Sequence, residues 1–471
     1  MRRQIGTVLS AGLLTWAVAL APGIAHAAIS SLPATTPQLG TSGTDGSIEQ
    51  VRQIVQCGTT MYAVGTFTQV KNPNSTALIA RNNAFAFSPN AQGVYRVTNW
   101  NPNVNGTVNT VACAPDGDVI IGGNFTQVGT TAVKNLAKVD ATAGAVNTGF
   151  TWNLNPNNLN APAGVINHVE VVQGHLLVGG NFAPAKINST TSTPGYLASV
   201  SPTTGRSDGY ITAANLPISG TYNYTGIRSV PSTKVFNMSV NPTGTAVIVT
   251  GVFTSVAGQH HEQLFMLNTP VGATAPTVAT WSPTELYQHC AGVEPFYAQD
   301  AAWSPDSTKV YVVNTGYRLE SELLMPSNQR PQARSGPCDS AIAYDATLTG
   351  EFGPGTANPQ PHLWQNFTGC DSLYSVGADA TTVYVAGHER WIDNPNACDR
   401  LGTGGRAQPG LGELDPASGL SVPGPSRGRG LGADDVLVTT GGVWIASDNQ
   451  ANTSTCGGKS GHMGICYLPY Q

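Results

Sequence analysis

The chain repeats itself, and that constrains its fold more than any other feature. A short glycine-centred signature occurs as Val64-Gly65-Thr66-Phe67, Gly122-Gly123-Asn124-Phe125, Gly179-Gly180-Asn181-Phe182 and Thr250-Gly251-Val252-Phe253. It continues as Thr315-Gly316-Tyr317 and Ala386-Gly387-His388, and fades into Ile445-Ala446-Ser447-Asp448. Positions 65, 123, 180, 251, 316, 387 and 447 are spaced by 58, 57, 71, 65, 71 and 60 residues. A period of this size marks an array of supersecondary units, none of which can bury its apolar faces alone.

One unit reads clearly. Val108–Ala114 is an expected strand, and Pro115-Asp116-Gly117-Asp118 is a tight turn. Val119–Val128 is a second strand, Leu136–Asp140 a third, and Ala145–Trp152 a fourth after the turn Ala141-Thr142-Ala143-Gly144. Four antiparallel strands make a propeller blade, and seven blades arranged radially hide their edges by closing. The expected fold is therefore all-β, a seven-bladed β-propeller over residues 48–471, with blades starting near 48, 105, 163, 232, 296, 370 and 431. The last unit lacks a fourth strand before Gln471, so residues 28–47 are expected to supply it and join the ends of the ring. Composition agrees: charged residues are 10% of the chain, with 54 Gly and 32 Pro. That is turn chemistry between many short strands, far below the roughly 25% charge of ordinary domains.

The first 27 residues read as a secretory leader: Arg2 and Arg3, an apolar Leu9–Ala21 stretch, and a small-residue cleavage site at Ala25-His26-Ala27. Its removal takes Arg2 and Arg3 from the 22 basic residues and none of the 27 acidic ones, leaving a net charge of −7. This argues against nucleic acid and anionic membrane partners. Eight cysteines in an exported chain point to disulfides. Their places in the repeat suggest Cys57–Cys113, Cys290–Cys338, Cys370–Cys398 and Cys456–Cys466, the first bridging adjacent blades and the others pinning insertions to their own blade.

The Val-Gly-Gly-Asn-Phe run, followed by a strand with Asp, a Thr-Gly turn and Asn-Pro, resembles the delta-60 repeat β-propellers of secreted bacterial proteins, best over residues 48–205. The second half carries Asp300-Ala301-Ala302-Trp303-Ser304-Pro305-Asp306 and His388-Glu389-Arg390-Trp391. It resembles an actinobacterial extracellular propeller-like family. The resemblance implies a secreted propeller and brings no catalytic residues with it.

Candidate site residues follow from strand order. The start of each first strand and the end of each second strand open on one face. The polar residues at the strand starts are Gln53, Asn109, Asn167, Asn237, Asp300, Asp371 and Asp434 with its neighbour Asp435. Amides thus occupy the first four units and carboxylates the last three. The ends of second strands add Tyr317, His388, Glu389, Arg390, Trp391 and Asp448. An expected ligand site therefore lies on the rim of units five to seven, with carboxylates favouring a protonated His388. The competing structural expectation is that each polar residue hydrogen-bonds backbone of the next blade, and that Glu389 pairs with Arg390. The functional expectation is a monomeric extracellular binding module for a cell-wall glycan, polysaccharide or protein. The alternatives are a lyase or hydrolase using rim carboxylates and His388, and a quinoprotein-like oxidoreductase. No cofactor or metal motif is present in the sequence: His260-His261-Glu262 reads as a surface loop, and Asp116-Gly117-Asp118 as a hairpin turn.

Overall fold

A computed structural model describes residues 28–40, 48–153, 164–182, 186–187, 191–192, 195–221, 231–288, 290, 295–316, 336–450 and 455–471. The expected leader and Tyr317 lie outside the described residues. The protein is all-β; a single 3-10 turn, Thr284–Tyr287, is the helical element among the described residues. No helix there is long and apolar enough to cross a membrane.

Seven antiparallel sheets share one plan, with first strands Gln50–Cys57, Thr107–Cys113, Val165–Val172, Lys234–Val240, Tyr297–Trp303, Leu373–Ala378 and Ala433–Thr439. We number the sheets one to seven in that order. A tight turn leads from each first strand to a second strand, and a third pairs on its far side. The second strands are almost wholly buried, as in Val119–Asn124 and Ala246–Val252, because both faces lie between neighbouring sheets. A strand buried on both faces needs a continuous apolar run rather than alternation, and Val-Ile-Ile-Gly-Gly and Ala-Val-Ile-Val-Thr-Gly are such runs.

The apolar core is divided among the sheet interfaces. Tyr62, Val64 and Trp100 of sheet one pack on Val108 and Ile121 of sheet two, and like clusters lie between each following pair. Another joins Phe85 and Phe87 of sheet one to Trp444 and Tyr467 of sheet seven. Trp side chains tie neighbours together: Nε1 of Trp100, Trp281 and Trp364 donates to the carbonyls of Asp140, Asp345 and Pro416 in the next sheet, at 2.9, 2.9 and 3.1 Å. These carbonyls belong to the recurring Thr-Gly-type turns, which are held by Asp140, Asp345 and Asp415 accepting from backbone amides two or three residues on.

Two expectations need correction. Sheets one, four and five have four strands, but in sheets two, three and six the fourth shrinks to a single bridge: Val139–Val146, Val200–Ser207 and Leu414–Ser421. In sheet two Asn147 Nδ2 donates to Asp118 and its Oδ1 accepts from Gly149 N, which turns the chain out of the strand expected to run to Trp152. Residues after Asn124 likewise leave the second strand, expected to run to Val128, for a small separate hairpin, Gln127–Val128 with Thr131–Ala132. In sheet seven, residues 28–34 run beside the last strand, Ile465–Pro469. Ser30 N donates to Pro469 O at 2.7 Å and Ala34 N to Tyr467 O at 2.9 Å. Four disulfides join Cys57–Cys113, Cys290–Cys338, Cys370–Cys398 and Cys456–Cys466. The first links sheets one and two.

Candidate functional site

Each first strand carries one irregularity at the same place. The ladder to the second strand skips a residue between Val51 and Gln53, and likewise in every other sheet. The skipped residues are Arg52, Asn109, Asn167, Phe236, Gln299, Tyr374 and Asp434. A bulge of this kind re-aims a side chain. It also explains the signature glycine. Gly65, Gly123, Gly180, Gly251 and Gly387 lie opposite the residue before the bulge, and a Cβ there would strike the carbonyl oxygen of Gln50, Thr107, Val165, Lys234 or Ser372. The repeat that was legible in sequence is the space the bulge requires.

All seven skipped residues line one cavity of about 350 Å³, together with Gln53, His168, Asn237 and Asp435. We call it the cup. Among the described residues Arg52 is the one Arg or Lys lining it, and its guanidinium donates to Asn109 Oδ1 at 3.1 Å. Asn109 and Asn167 each donate through Nδ2 to a backbone carbonyl of the following sheet, Ile166 at 2.8 Å and Val235 at 2.7 Å. Phe236 is braced by Tyr297, ring centroids 4.6 Å apart, with Lys234 Nζ 4.8 Å from the Phe236 centroid. Tyr374 directs its hydroxyl to His388 Nδ1.

The residue after the bulge does different work. Gln53 Oε1 accepts from Val111 N at 2.7 Å and Thr110 Oγ1 from Val169 N at 3.1 Å. Asp300 Oδ2 accepts from Val376 N at 3.0 Å, Ser375 Oγ from Val436 N at 3.0 Å, and Asp435 Oδ2 from Ile54 N at 2.8 Å. Each side chain therefore satisfies an amide of the next sheet's first strand, and Asp435 does so from the last sheet to the first. For Asp300 and Asp435 this is the structural expectation. Burial raises the Asp435 carboxyl to about 7, with the charges of Asp300 and Asp434 adding to the effect. Burial also raises Asp300, against three hydrogen bonds that favour its charged form. Asp434, at the bulge, is raised to about 7 by burial, opposed by the Arg52 charge. Its Oδ2 is enclosed with no hydrogen-bond partner.

The expected rim site is rearranged. The acidic strand starts do not share a register: Asp434 is a bulge residue, Asp300 and Asp435 follow bulges, and Asp371 lies before the strand Leu373–Ala378. Sheet six instead places Tyr374 and Ser375 at those two positions. Asp371 is buried and grips Arg390, whose Nε donates to Oδ2 at 2.7 Å and NH2 to Oδ1 at 2.8 Å; Arg429 adds a contact at 3.4 Å. Arg390 also reaches Asp399 at 2.7 Å and stacks on Trp391, 4.2 Å from the ring centroid. The expected Glu389–Arg390 pair is thus replaced by Asp371–Arg390. Glu389 is fully buried without a hydrogen-bond partner on either oxygen, and burial raises its carboxyl well above the usual range. His388 also departs from expectation: burial lowers it, overriding the pull of Asp371, so the neutral ring is favoured. Asp448 is buried and accepts from Leu431 N at 2.7 Å and Gln450 N at 2.8 Å, holding its loop.

The structure therefore brings Asp434, Asp435 and, through Tyr374, His388 to the cup, and leaves Asp371, Glu389, Arg390, Trp391 and Asp448 in the surrounding loops. Arg52, Phe236, Gln299 and Tyr374 are cup residues that sequence reasoning missed. Aligning the units on the apolar residue before the bulge (Val51, Val108, Ile166, Val235, Ala298, Leu373, Ala433) would have found them, since each follows it directly. At the other end of the first strands a larger, more apolar opening of about 860 Å³ is lined by Val55, Ala378, Leu437, Val438 and Tyr470 among others. Among the described residues, no His, Cys, Asp and Glu cluster is arranged to hold a metal ion.

No protein-family profile matches the sequence, and no curated protein does. Solved structures similar to this chain include the WD40 β-propeller domain of Doa1, with a TM-score of 0.38 and 9% identity over 92% of this chain and 96% of that one. The Dos1 propeller is similar at a TM-score of 0.40 and 8% identity, over 93% and 96%.

Proposed function

We propose that the chain is a secreted seven-bladed β-propeller, its ring closed by residues 28–34, and that it binds a polyhydroxylated ligand such as a cell-wall glycan in the cup. One observation carries this reading: a bulge residue from each of seven sheets reaches the same cavity. A set of amides, a carboxylate, a guanidinium and two aromatic rings suits a sugar, whose hydroxyls both donate and accept and whose C–H face packs on rings. The ring reading draws on the contacts between sheets one and seven, namely the Phe85–Trp444 cluster and the Asp435–Ile54 bond. The leader-like first residues and four disulfides support export.

The test is a cell-wall glycan and polysaccharide binding screen on the mature, disulfide-intact protein, followed by calorimetry with Asn167→Ala and Phe236→Ala. Loss of about tenfold or more in affinity for a hit is expected from each, the size of a lost buried contact. Unchanged affinity in both would move the site out of the cup.

A second reading, a carbohydrate-cleaving enzyme, draws on the Tyr374–His388 hydrogen bond. A neutral imidazole that holds a cup phenol could take part in proton transfer. New reducing ends or unsaturated products from the same ligands would favour it; binding without turnover favours the module.

A further inference from the structure

The charges around the cup are unequal, and this narrows the ligand. Arg52 is the only Arg or Lys among the described lining residues, against the carboxylates Asp434 and Asp435. Asp300 lies close enough for its charge to raise Asp435 further. These acids are not equivalent. Asp435 and Asp300 are committed to backbone amides of neighbouring sheets. Asp434 is not: its Oδ2 is enclosed and accepts no hydrogen bond. Arg52, the nearest balancing cation on the cup wall, donates to Asn109 and acts on Asp434 only through its field. The other charges felt by Asp434 are Asp448, which opposes its ionisation, and buried Arg427, which favours it. A carboxylate oxygen enclosed without a donor is costly unless a partner supplies charge. Aromatic Phe236 and Tyr374 on the same wall add attraction for a cation.

We propose that the cup selects a protonated amine carried on a sugar ring, an amino sugar, over neutral and N-acylated sugars, with Asp434 as the residue that recognises the ammonium. This rests on the glycan reading above and sharpens it. The ammonium supplies the positive charge that lets Asp434 ionise, while the amides of Asn109, Asn167 and Gln299 serve ring hydroxyls.

The test compares three tetrasaccharides of one linkage, differing at a single substituent: β-1,4-linked glucosamine, N-acetylglucosamine and glucose. Calorimetry at pH 7 is expected to rank the glucosamine tetramer at least about tenfold tighter than the other two, the scale of a charge-assisted hydrogen bond. Raising salt should weaken that ligand alone. Asp434→Asn should bring the three within about twofold of one another. Arg52→Gln, at an exposed position, should raise the ratio of glucosamine to glucose tetramer affinity; this arm holds if the Asp434 variant does not fold. Equal binding of all three, or a preference that survives Asp434→Asn, overturns the amine assignment while the glycan reading stands. If none of the three binds and the polysaccharide screen is also empty, the glycan reading itself falls. A hit in the screen only for neutral or acidic glycans overturns the amine assignment alone.

Discussion

Sheets one and two and sheets five to seven meet the same structural demand with different chemistry. A first-strand amide in the next sheet needs an acceptor. Sheet one uses an amide oxygen, Gln53, and sheet two a hydroxyl, Thr110; sheets five and seven use carboxylates, Asp300 and Asp435, with hydroxyl Ser375 between them. A neutral acceptor does this without burying charge, so the carboxylates are not needed for the hydrogen bond. Covalent bracing divides along the same line. The one disulfide of the first half, Cys57–Cys113, ties two sheets together, whereas the other three lie in the second half and brace its loops or last sheet. At this acceptor position the first two sheets thus achieve cohesion at low electrostatic cost. The second half carries buried charge and pinned loops, and it is the half that gives the cup its acidic side.

Disulfide removal should give the largest effect and separate the halves directly. Cys57 and Cys113 are 56 residues apart and Cys456 and Cys466 only 10. Chain-entropy arguments then give losses of about 4 kcal/mol and about 3 kcal/mol for the two paired Cys→Ala variants. Denaturant titration of both would reverse the ranking if the first bridge served only locally.

Next comes pH. The folded Asp435 carboxyl sits at about 7, above its unfolded value, so the folded state holds the proton longer. Its contribution is therefore most favourable below about pH 4 and declines as pH rises to about 7, after which it is flat. Asp435→Asn keeps an acceptor for Ile54 N and removes the charge. It should be more stable than the parent at pH 8 by on the order of 2 kcal/mol and indistinguishable at pH 4. Equal shifts at both pH values would show that charge is not the cause.

Gln53 offers the converse. Gln53→Ala strands Val111 N and should cost about 1–2 kcal/mol at every pH. Gln53→Glu restores an acceptor but imports the second half's chemistry, so its penalty should appear at pH 8 and fade at pH 5. Thermal melts across pH measure both.

The smallest effect is expected at Asp399→Asn. Asp399 is exposed and Arg390 keeps its grip on Asp371, so at most about 1 kcal/mol of stability should go, with glycan affinity unchanged. A large drop in ligand affinity there would return the site to the loops of sheet six.

The repeat was legible because a physical necessity wrote it: the glycine opposite the bulge leaves room for a carbonyl, and Val-Ile-Ile-Gly-Gly runs are what a strand buried on both faces requires. The cysteine partners were legible from their register. The cup was only half legible. Asn109, Asn167 and Asp434 stand out as polar residues on apolar strands, but Arg52, Phe236, Gln299 and Tyr374 occupy the same position with no shared chemistry, so type alone could not group them. Asp371 and Glu389 misled for a related reason. Spacing gives order along a strand, but whether a carboxylate meets a guanidinium or an apolar wall is set by loops whose course the repeat does not dictate.

The hydrogen bonds from Ser30 and Ala34 to the last strand have a kinetic consequence. Thr36 Oγ1 and the Ile465 carbonyl it reaches are 429 residues apart in sequence. Loop closure on that scale comes after the local hairpins have formed. A chain released before its final strand would hold its interior hairpins yet leave an apolar flank of sheet one uncovered. Connecting Gln471 to Ala28 through a short linker and opening the chain at an exposed turn between two interior sheets would make this long-range encounter local, and should speed the last step of refolding.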